Sequence, residues 1–277
     1  QRPAPVQANF LGFPGTSGAP HLDYILADRI IIPEGQQRFY SEQVVYLPDT
    51  YQANDSLRPI AAHTPTRTSV GLPEDAFVFC CFNNNFKITP EMFDIWMRLL
   101  GQVERSVLWL LQDNPAAAAN LCKHAEARGI AKERLIFATR TTPPEHLARQ
   151  RLADLFLDTS PYTAHTTCSD ALWAGLPVVT FLGPTFAARV AGSVLTAAGL
   201  SELVMQSPAE YEQLALRLAR DRSALAQIKA KLAANRSTCA LFDTARFTRN
   251  LERAFTRMVE RRRQGLAPQS FAVEGAP

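Results

Sequence analysis

The chain has 277 residues, 47% of them hydrophobic, enough to fill one large or two unequal domains. Its 29 Lys and Arg against 26 Asp and Glu leave a charge of only +3, part of it local to Arg257 and the Arg261-Arg262-Arg263 run, so a nucleic-acid partner is not indicated. The five cysteines make no C-x-x-C pair and no apolar run approaches the ~20 residues of a membrane span, so a soluble protein of the reducing cytoplasm is expected, with no membrane partner.

The chain starts at Gln1 without the apolar stretch of a signal peptide, and it reads as a piece of a longer product. Residues 1–20 are rich in Pro, Gly, Ser and Ala, and Gly12-Phe13-Pro14-Gly15-Thr16-Ser17-Gly18 forms a tight loop where backbone can approach a ligand. Two apolar runs follow, Tyr24–Ile32 and Val44–Leu47, and then a polar, Pro-containing connector over 49–73. A domain boundary is expected near residue 58.

Beyond it, short apolar runs alternate with amphipathic segments. The predicted strands are Phe77–Phe82, Ser106–Leu111, Arg134–Ala138, Ala153–Asp158 and Val178–Phe181. The helices between and after them are Thr89–Val103, with Pro90 at its first position, Ala116–Arg128, one starting at Pro144, Thr166–Ala174 and Phe186–Ala198. Uniformly apolar strands between helices predict a parallel sheet covered on both faces, the Rossmann-like doubly wound α/β class. After Val204 only helices are predicted, near 208–221, 222–235 and 243–264, and the tail 265–277 is expected to be disordered.

Ligands of open α/β sheets collect at the carboxyl ends of the strands, so the residues following each strand are the candidates. Asn83-Asn84-Asn85-Phe86-Lys87 follows the first strand of this series. Thr139–Arg149 follows the third and carries His146 and Arg149, three apart on one helix face, fitted either to an aromatic base and a phosphate or to solvent. The loop from Pro161 through His165, Thr166, Thr167 and Asp170 follows the fourth and runs into a helix, whose free N–H groups and threonine hydroxyls can cradle a diphosphate. Asp170, one turn later, can accept hydrogen bonds from a ribose diol. The same residues also fit a plainer pattern, with Thr166 or Thr167 as an N-cap, His165 as a loop residue and Lys87 as a solvated surface lysine. No D-x-D, P-loop or G-x-S-x-G motif is present, and His21, His63 and His124 have no metal-ligand spacing.

In order, Leu11–Ile25, Cys81–Ile88, Ser106–Leu111, Ala153–Thr159 and His165–Gly175 resemble the catalytic region of protein O-GlcNAc transferases and their Spindly-type relatives, bacterial ones especially. The resemblance runs from about residue 9 to 260. It implies an inverting GT-B enzyme, needing no metal or other cofactor, that transfers GlcNAc from UDP-GlcNAc to protein Ser/Thr hydroxyls. Residues 1–58 would be the end of the N-terminal catalytic lobe, and 59–264 the nucleotide-sugar-binding lobe with its C-terminal helices. By position, Lys87 would be catalytic, stabilising the leaving UDP, with Asn84 near the phosphates. His146 would stack on uracil beside Arg149, while His165, Thr166 and Thr167 would line the phosphate and sugar, Asp170 would hold the ribose, and Leu11 and Gly12 would wall the sugar. One departure stands out: where animal members carry a ribose-assisting lysine two or three residues before the stacking histidine, this chain has Pro143 and Pro144.

The family's first lobe normally begins well upstream, with histidines for the acceptor and preceding tetratricopeptide repeats. The isolated chain is therefore expected to bind nucleotide without transferring sugar, and apolar runs such as Tyr24–Ile32 to be partly uncovered and prone to association. Two other readings fit the sequence: a GDP-fucose-dependent protein fucosyltransferase, and a non-catalytic nucleotide-binding lobe.

Overall fold

The computed structural model describes residues 2–275. Two parallel sheets organise it. The first carries β1 (Ala8–Asn9), β2 (Tyr24–Ala27), β3 (Gln43–Tyr46) and β10 (Phe271–Ala272), in the order β1-β2-β3-β10. The second carries β4 (Phe77–Cys81), β5 (Ser106–Leu111), β6 (Leu135–Ala138), β7 (Leu155–Leu157), β8 (Val178–Phe181) and β9 (Val204–Met205), in the order β6-β5-β4-β7-β8-β9. Counted within this sheet the order is third, second, first, fourth, fifth, sixth, the doubly wound pattern whose strand order reverses between β4 and β7.

The central strands explain themselves chemically. Every residue of β4 is buried, as a strand covered by helices on both faces requires, and none of the five is polar enough to demand a partner other than the ladder. Helix α1 (Pro90–Gln102) opens on Thr89, whose hydroxyl accepts the Met92 N–H, and buries Met92, Phe93, Trp96 and Leu100 among its inward residues. Helices α2 (Pro115–Glu126), α3 (Pro143–Gln150), α4 (Thr166–Ala174) and α5 (Val190–Ala197) alternate with the strands, and α6 (Pro208–Arg220) and α7 (Arg222–Asn235) close the lobe. A buried hydrogen-bond chain runs from Trp96 Nε1 to the Tyr211 hydroxyl at 3.1 Å and from that hydroxyl to the Asp158 carbonyl at 3.1 Å. It ties α1 and α6 to the turn after β7.

Three expectations are corrected. The run Tyr24–Ile32 is not left uncovered: Tyr24 through Ala27 are at most 2% exposed. Helix α8 (Thr244–Arg263), expected with the second lobe, packs on the first sheet, where Ala254 and Met258 meet Tyr24, Leu26, Val45 and Phe271. The tail expected to be disordered includes β10, which pairs with β3 and buries Phe271 and Val273, while 276–277 lie outside the described residues. β10 thus adds a strand beside β3, far from it in sequence, to the sheet that β1, β2 and β3 form. Phe271→Ala is expected to cost about 3 kcal/mol, read as a lowered urea midpoint, because the ring fills the gap between Tyr24 and α8. A change below about 0.5 kcal/mol would put the tail outside the core.

The two sheets meet through their carboxyl ends. Asp28, just after β2, accepts the N–H groups of Ile30, Ile31 and Tyr51 and the hydroxyl of Ser193 on α5. The Arg189 guanidinium, at the start of α5, donates to the Ile30 carbonyl, and Tyr51 meets Phe186 edge-to-face at 5.2 Å. Segments that follow strands of the first sheet therefore contact segments that follow β8 of the second.

Candidate functional site

The strand-order reversal between β4 and β7 opens a crevice, and the segments leaving those two strands line it. Asn83, buried just past β4, bridges the walls: its amide donates to Thr159 Oγ1 at 2.8 Å, and its carbonyl accepts the Thr167 hydroxyl. Asp158, fully buried at the end of β7, accepts the Thr159 and Ala164 N–H groups and the Thr180 hydroxyl. Burial pushes its carboxyl up to about 6 against those hydrogen bonds. The carboxylate thereby shapes the whole 158–164 turn.

That turn presents Thr163 to Lys87, whose ammonium donates to the Thr163 carbonyl at 2.9 Å and stands 4.0 Å over the Tyr162 ring. Burial lowers the Lys87 pKa, while the nearby Asp158 works to raise it. His165 stacks on the other partner of the pair, Tyr162, at 4.8 Å. It is also the N-cap residue of α4, and no side chain caps that helix. Thr166 is the first helical residue and exposed, so neither threonine is the N-cap, and the positive end of α4 faces outward beside Lys87.

A second group gathers around α3. Arg149, 7% exposed, donates from Nε and Nη2 to His146 Nδ1 at 3.0 and 2.7 Å and from Nη1 to the Thr139 carbonyl. Because a guanidinium only donates, His146 Nδ1 must be an acceptor, and the ring is neutral with its proton on Nε2. Burial and the adjacent Arg149 bring its pKa down to about 4. His146 also meets Phe82 edge-to-face at 5.1 Å, with Arg149 over the same ring. This packing orients the imidazole.

Between the two groups lies a cavity of about 300 Å³, bordered by Asn84, Arg140, His146, Arg149, Thr167 and Asp170. A smaller one of about 170 Å³ adjoins it and shares Pro143, His146 and Asp170. Five sequence-predicted residues thus face one space: Asn84, His146, Arg149, Thr167 and Asp170. Lys87, His165 and Thr166 border neither cavity: Lys87 and His165 gather on the Tyr162 ring, and Thr166 immediately precedes the cavity residue Thr167 in α4. Leu11 and Gly12 lie in an exposed loop after β1, with Leu11 held at φ +57°. They border neither cavity.

Sequence reasoning missed Arg58, whose guanidinium forms an ion pair with Asp170, and Asp158 as the organiser of the turn. The signal for Asp158 was a carboxylate ending an otherwise apolar strand. For Arg58, 112 residues before its partner, there was none. Among the described residues no group of three His, Cys, Asp or Glu is placed to hold a metal ion.

Neutrality of His146 has a pH signature. Between pH 6.5 and about 4 the unfolded chain takes up a proton that folded His146 refuses, so this residue's contribution to stability is present above 6.5 and lost as pH falls toward 4. The His146 ring, followed by NMR, is by the same reasoning expected to stay neutral from about pH 7.5 to about pH 5.5. A transition centred on the ordinary histidine value of 6.5 would show that the ring titrates freely.

Two parallel sheets meeting at their strand carboxyl ends, with a polar cavity at the reversal point of the second, define the GT-B class of glycosyltransferase folds. The chain matches the model of glycosyl transferase family 41 over residues 1–64 and 58–251, and it belongs to that family. It is 40% identical over 280 residues to the probable UDP-N-acetylglucosamine--peptide N-acetylglucosaminyltransferase SEC of Arabidopsis thaliana, covering 98% of this chain and 28% of that relative. Identity to the probable UDP-N-acetylglucosamine--peptide N-acetylglucosaminyltransferase SPINDLY of Petunia hybrida is 32% over 278 residues, 99% of this chain and 29% of the relative. Among solved structures, a mutant O-GlcNAc transferase of Thermobaculum terrenum superposes with a TM-score of 0.85 at 34% identity, over 95% of this chain and 50% of that one. Sucrose-phosphate synthase of Thermosynechococcus elongatus shares the fold, with a TM-score of 0.57 at 16% identity over 88% of this chain and 58% of that one. The chain thus spans less than a third of the length of the two curated relatives named.

Proposed function

We propose that this chain carries the donor site of an inverting, metal-independent transferase that moves GlcNAc from UDP-GlcNAc to Ser/Thr hydroxyls of proteins. The observation that carries the reading is the arrangement at the crevice: an ammonium and an uncapped helix N-terminus on one side, and a neutral, rigidly held imidazole on the other. The first pair suits a diphosphate and the second an aromatic base, with Asp170 between them for the ribose. The named activities of the relatives from Arabidopsis and Petunia, and of the Thermobaculum structure, support the donor and the protein acceptor.

In this reading Lys87 and the α4 N–H groups take the charge that accumulates on UDP as the sugar C1–O bond breaks, the part a metal ion plays where carboxylates recruit one. The acceptor oxygen bonds to C1 from the opposite side as UDP departs and the hydroxyl proton passes to solvent, which inverts the anomeric centre. Asn84 and Thr167 hydrogen-bond the phosphates, and His165, fixed by Tyr162, lines the phosphate–sugar region. Its pKa, brought down to about 4 by burial and by Lys87, keeps it neutral at physiological pH. Free cysteines, three of them fully buried, suit a cytoplasmic setting, and no helix among the described residues is long and apolar enough to cross a membrane.

The test is calorimetry with UDP, UDP-GlcNAc, GDP and GDP-fucose in excess EDTA. UDP and UDP-GlcNAc are expected to bind undiminished by chelator and at least about tenfold more tightly than the guanine nucleotides. Loss of binding in EDTA would overturn metal independence, and preference for GDP-fucose would overturn the donor.

A further inference from the structure

Arg58 lies in the connector between the sheets, far in sequence from the crevice, yet its side chain reaches the crevice wall. Its Nη1 pairs with Asp170 Oδ1, and its backbone carbonyl accepts the Trp173 indole N–H at 3.1 Å. Trp173 and Asp170 are three residues apart on α4, so one helix face fixes both ends of the arginine. Its Nε and Nη2 are buried and have no hydrogen-bond partner among the described residues. The guanidinium also lies 6.0 Å over the Trp173 ring, but neither that contact nor the ion pair gives the two buried N–H nitrogens an acceptor, which is costly. The same arginine borders the 170 Å³ cavity together with Pro143, Pro144, His146 and Asp170.

This cavity adjoins the larger one that lies between the two groups and shares His146 and Asp170 with it, so a ribose held at Asp170 sits where the two meet. A ribose cis-diol offers two hydroxyls, each of which donates one hydrogen bond and accepts others. A carboxylate alone satisfies only the donating half. The two prolines before His146 supply no side-chain donor for the other half.

We propose that Arg58 is a donor-site residue that reads the ribose together with Asp170: the carboxylate accepts from the 2′- and 3′-hydroxyls, and the free guanidinium N–H groups donate to their oxygens. The inference rests on the reading of the crevice as a nucleotide site, and it adds a ligand-contacting residue from outside the nucleotide lobe's own strand ends. Arg58 also neutralises Asp170, so the pair presents a diol-shaped set of donors and acceptors with no net charge. The pairing needs ribose and is indifferent to the base.

The experiment measures UDP, GDP and their 2′,3′-dideoxy forms by calorimetry against the wild-type chain, Arg58→Met and Arg58→Lys. Wild type is expected to bind the ribonucleotide at least about tenfold more tightly than its dideoxy form, and Arg58→Met to lose about tenfold or more for the ribonucleotide only. Unchanged dideoxynucleotide affinity in the variant also reports that the fold is intact. Arg58→Lys should recover part of the loss, since one donor and the charge remain. Equal losses for ribo- and dideoxynucleotide would make Arg58 a structural support and overturn the proposal. A wild-type preference for GDP would overturn the uridine-nucleotide reading while the ribose comparison, run on GDP, still decides the role of Arg58. Binding of neither nucleotide would overturn both.

Discussion

Replacing Lys87 by alanine is expected to weaken UDP binding about ten- to a hundredfold while leaving uridine affinity unchanged, both read by calorimetry. The ammonium uses one N–H on the Thr163 carbonyl, which fixes it against the 158–164 turn and leaves two donors for a ligand. Its partial burial matters to the magnitude. A cation already stripped of much of its water interacts with phosphate more strongly than a fully solvated one, so the loss should lie toward the value for hydrogen bonds to charged groups, ~1.5–3 kcal/mol. Uridine carries no phosphate and reports on the rest of the site. Equal losses for UDP and uridine would mean that the substitution collapses the 158–164 turn, and Lys87 would be a structural residue.

His146→Ala should behave in the opposite way, weakening uridine and UDP by the same factor. Stacking of a base on an aromatic side chain is worth ~1–3 kcal/mol, or roughly five- to a hundredfold. The imidazole is well prepared for it: Arg149 holds one nitrogen, Phe82 holds one edge, and the ring stays uncharged. A companion variant, Arg149→Met, removes the clamp but keeps the ring, and its smaller effect on uridine would separate orientation from contact. Should His146→Ala weaken UDP alone, the ring would be acting on phosphate and the base would lie elsewhere.

The second sheet was legible because its strands are apolar on both faces and its helices carry local start signals. Thr89 before Pro90 marks α1, and β5, α4 and β8 begin and end where the pattern puts them. What the pattern could not carry was anything held by distant partners. β10 is two residues long, too short for any periodicity, and exists because α8 and β3 leave a slot for Phe271. The covering of β2 was invisible for the same reason, since its cover comes from more than 220 residues downstream. In the crevice, Asn84, His146, Thr167 and Asp170 were singled out by their places in the segments after β4, β6 and β7, and the four border one cavity. Arg58 and the organising role of Asp158 depend on contacts across the fold, which no local pattern encodes. The loop that starts at Gly12 was readable as a tight turn, the sugar-walling role of Leu11 and Gly12 came from resemblance, and neither residue borders the two cavities.

The most direct measurement is a crystal structure of the chain with UDP bound in the presence of EDTA. The account predicts the diphosphate at the N-terminus of α4 within hydrogen-bonding reach of Lys87, the uracil against His146, and the ribose hydroxyls on Asp170. A UDP bound outside the β4–β7 crevice, or one whose phosphates leave the Lys87 ammonium and the α4 N-terminus untouched, would contradict it.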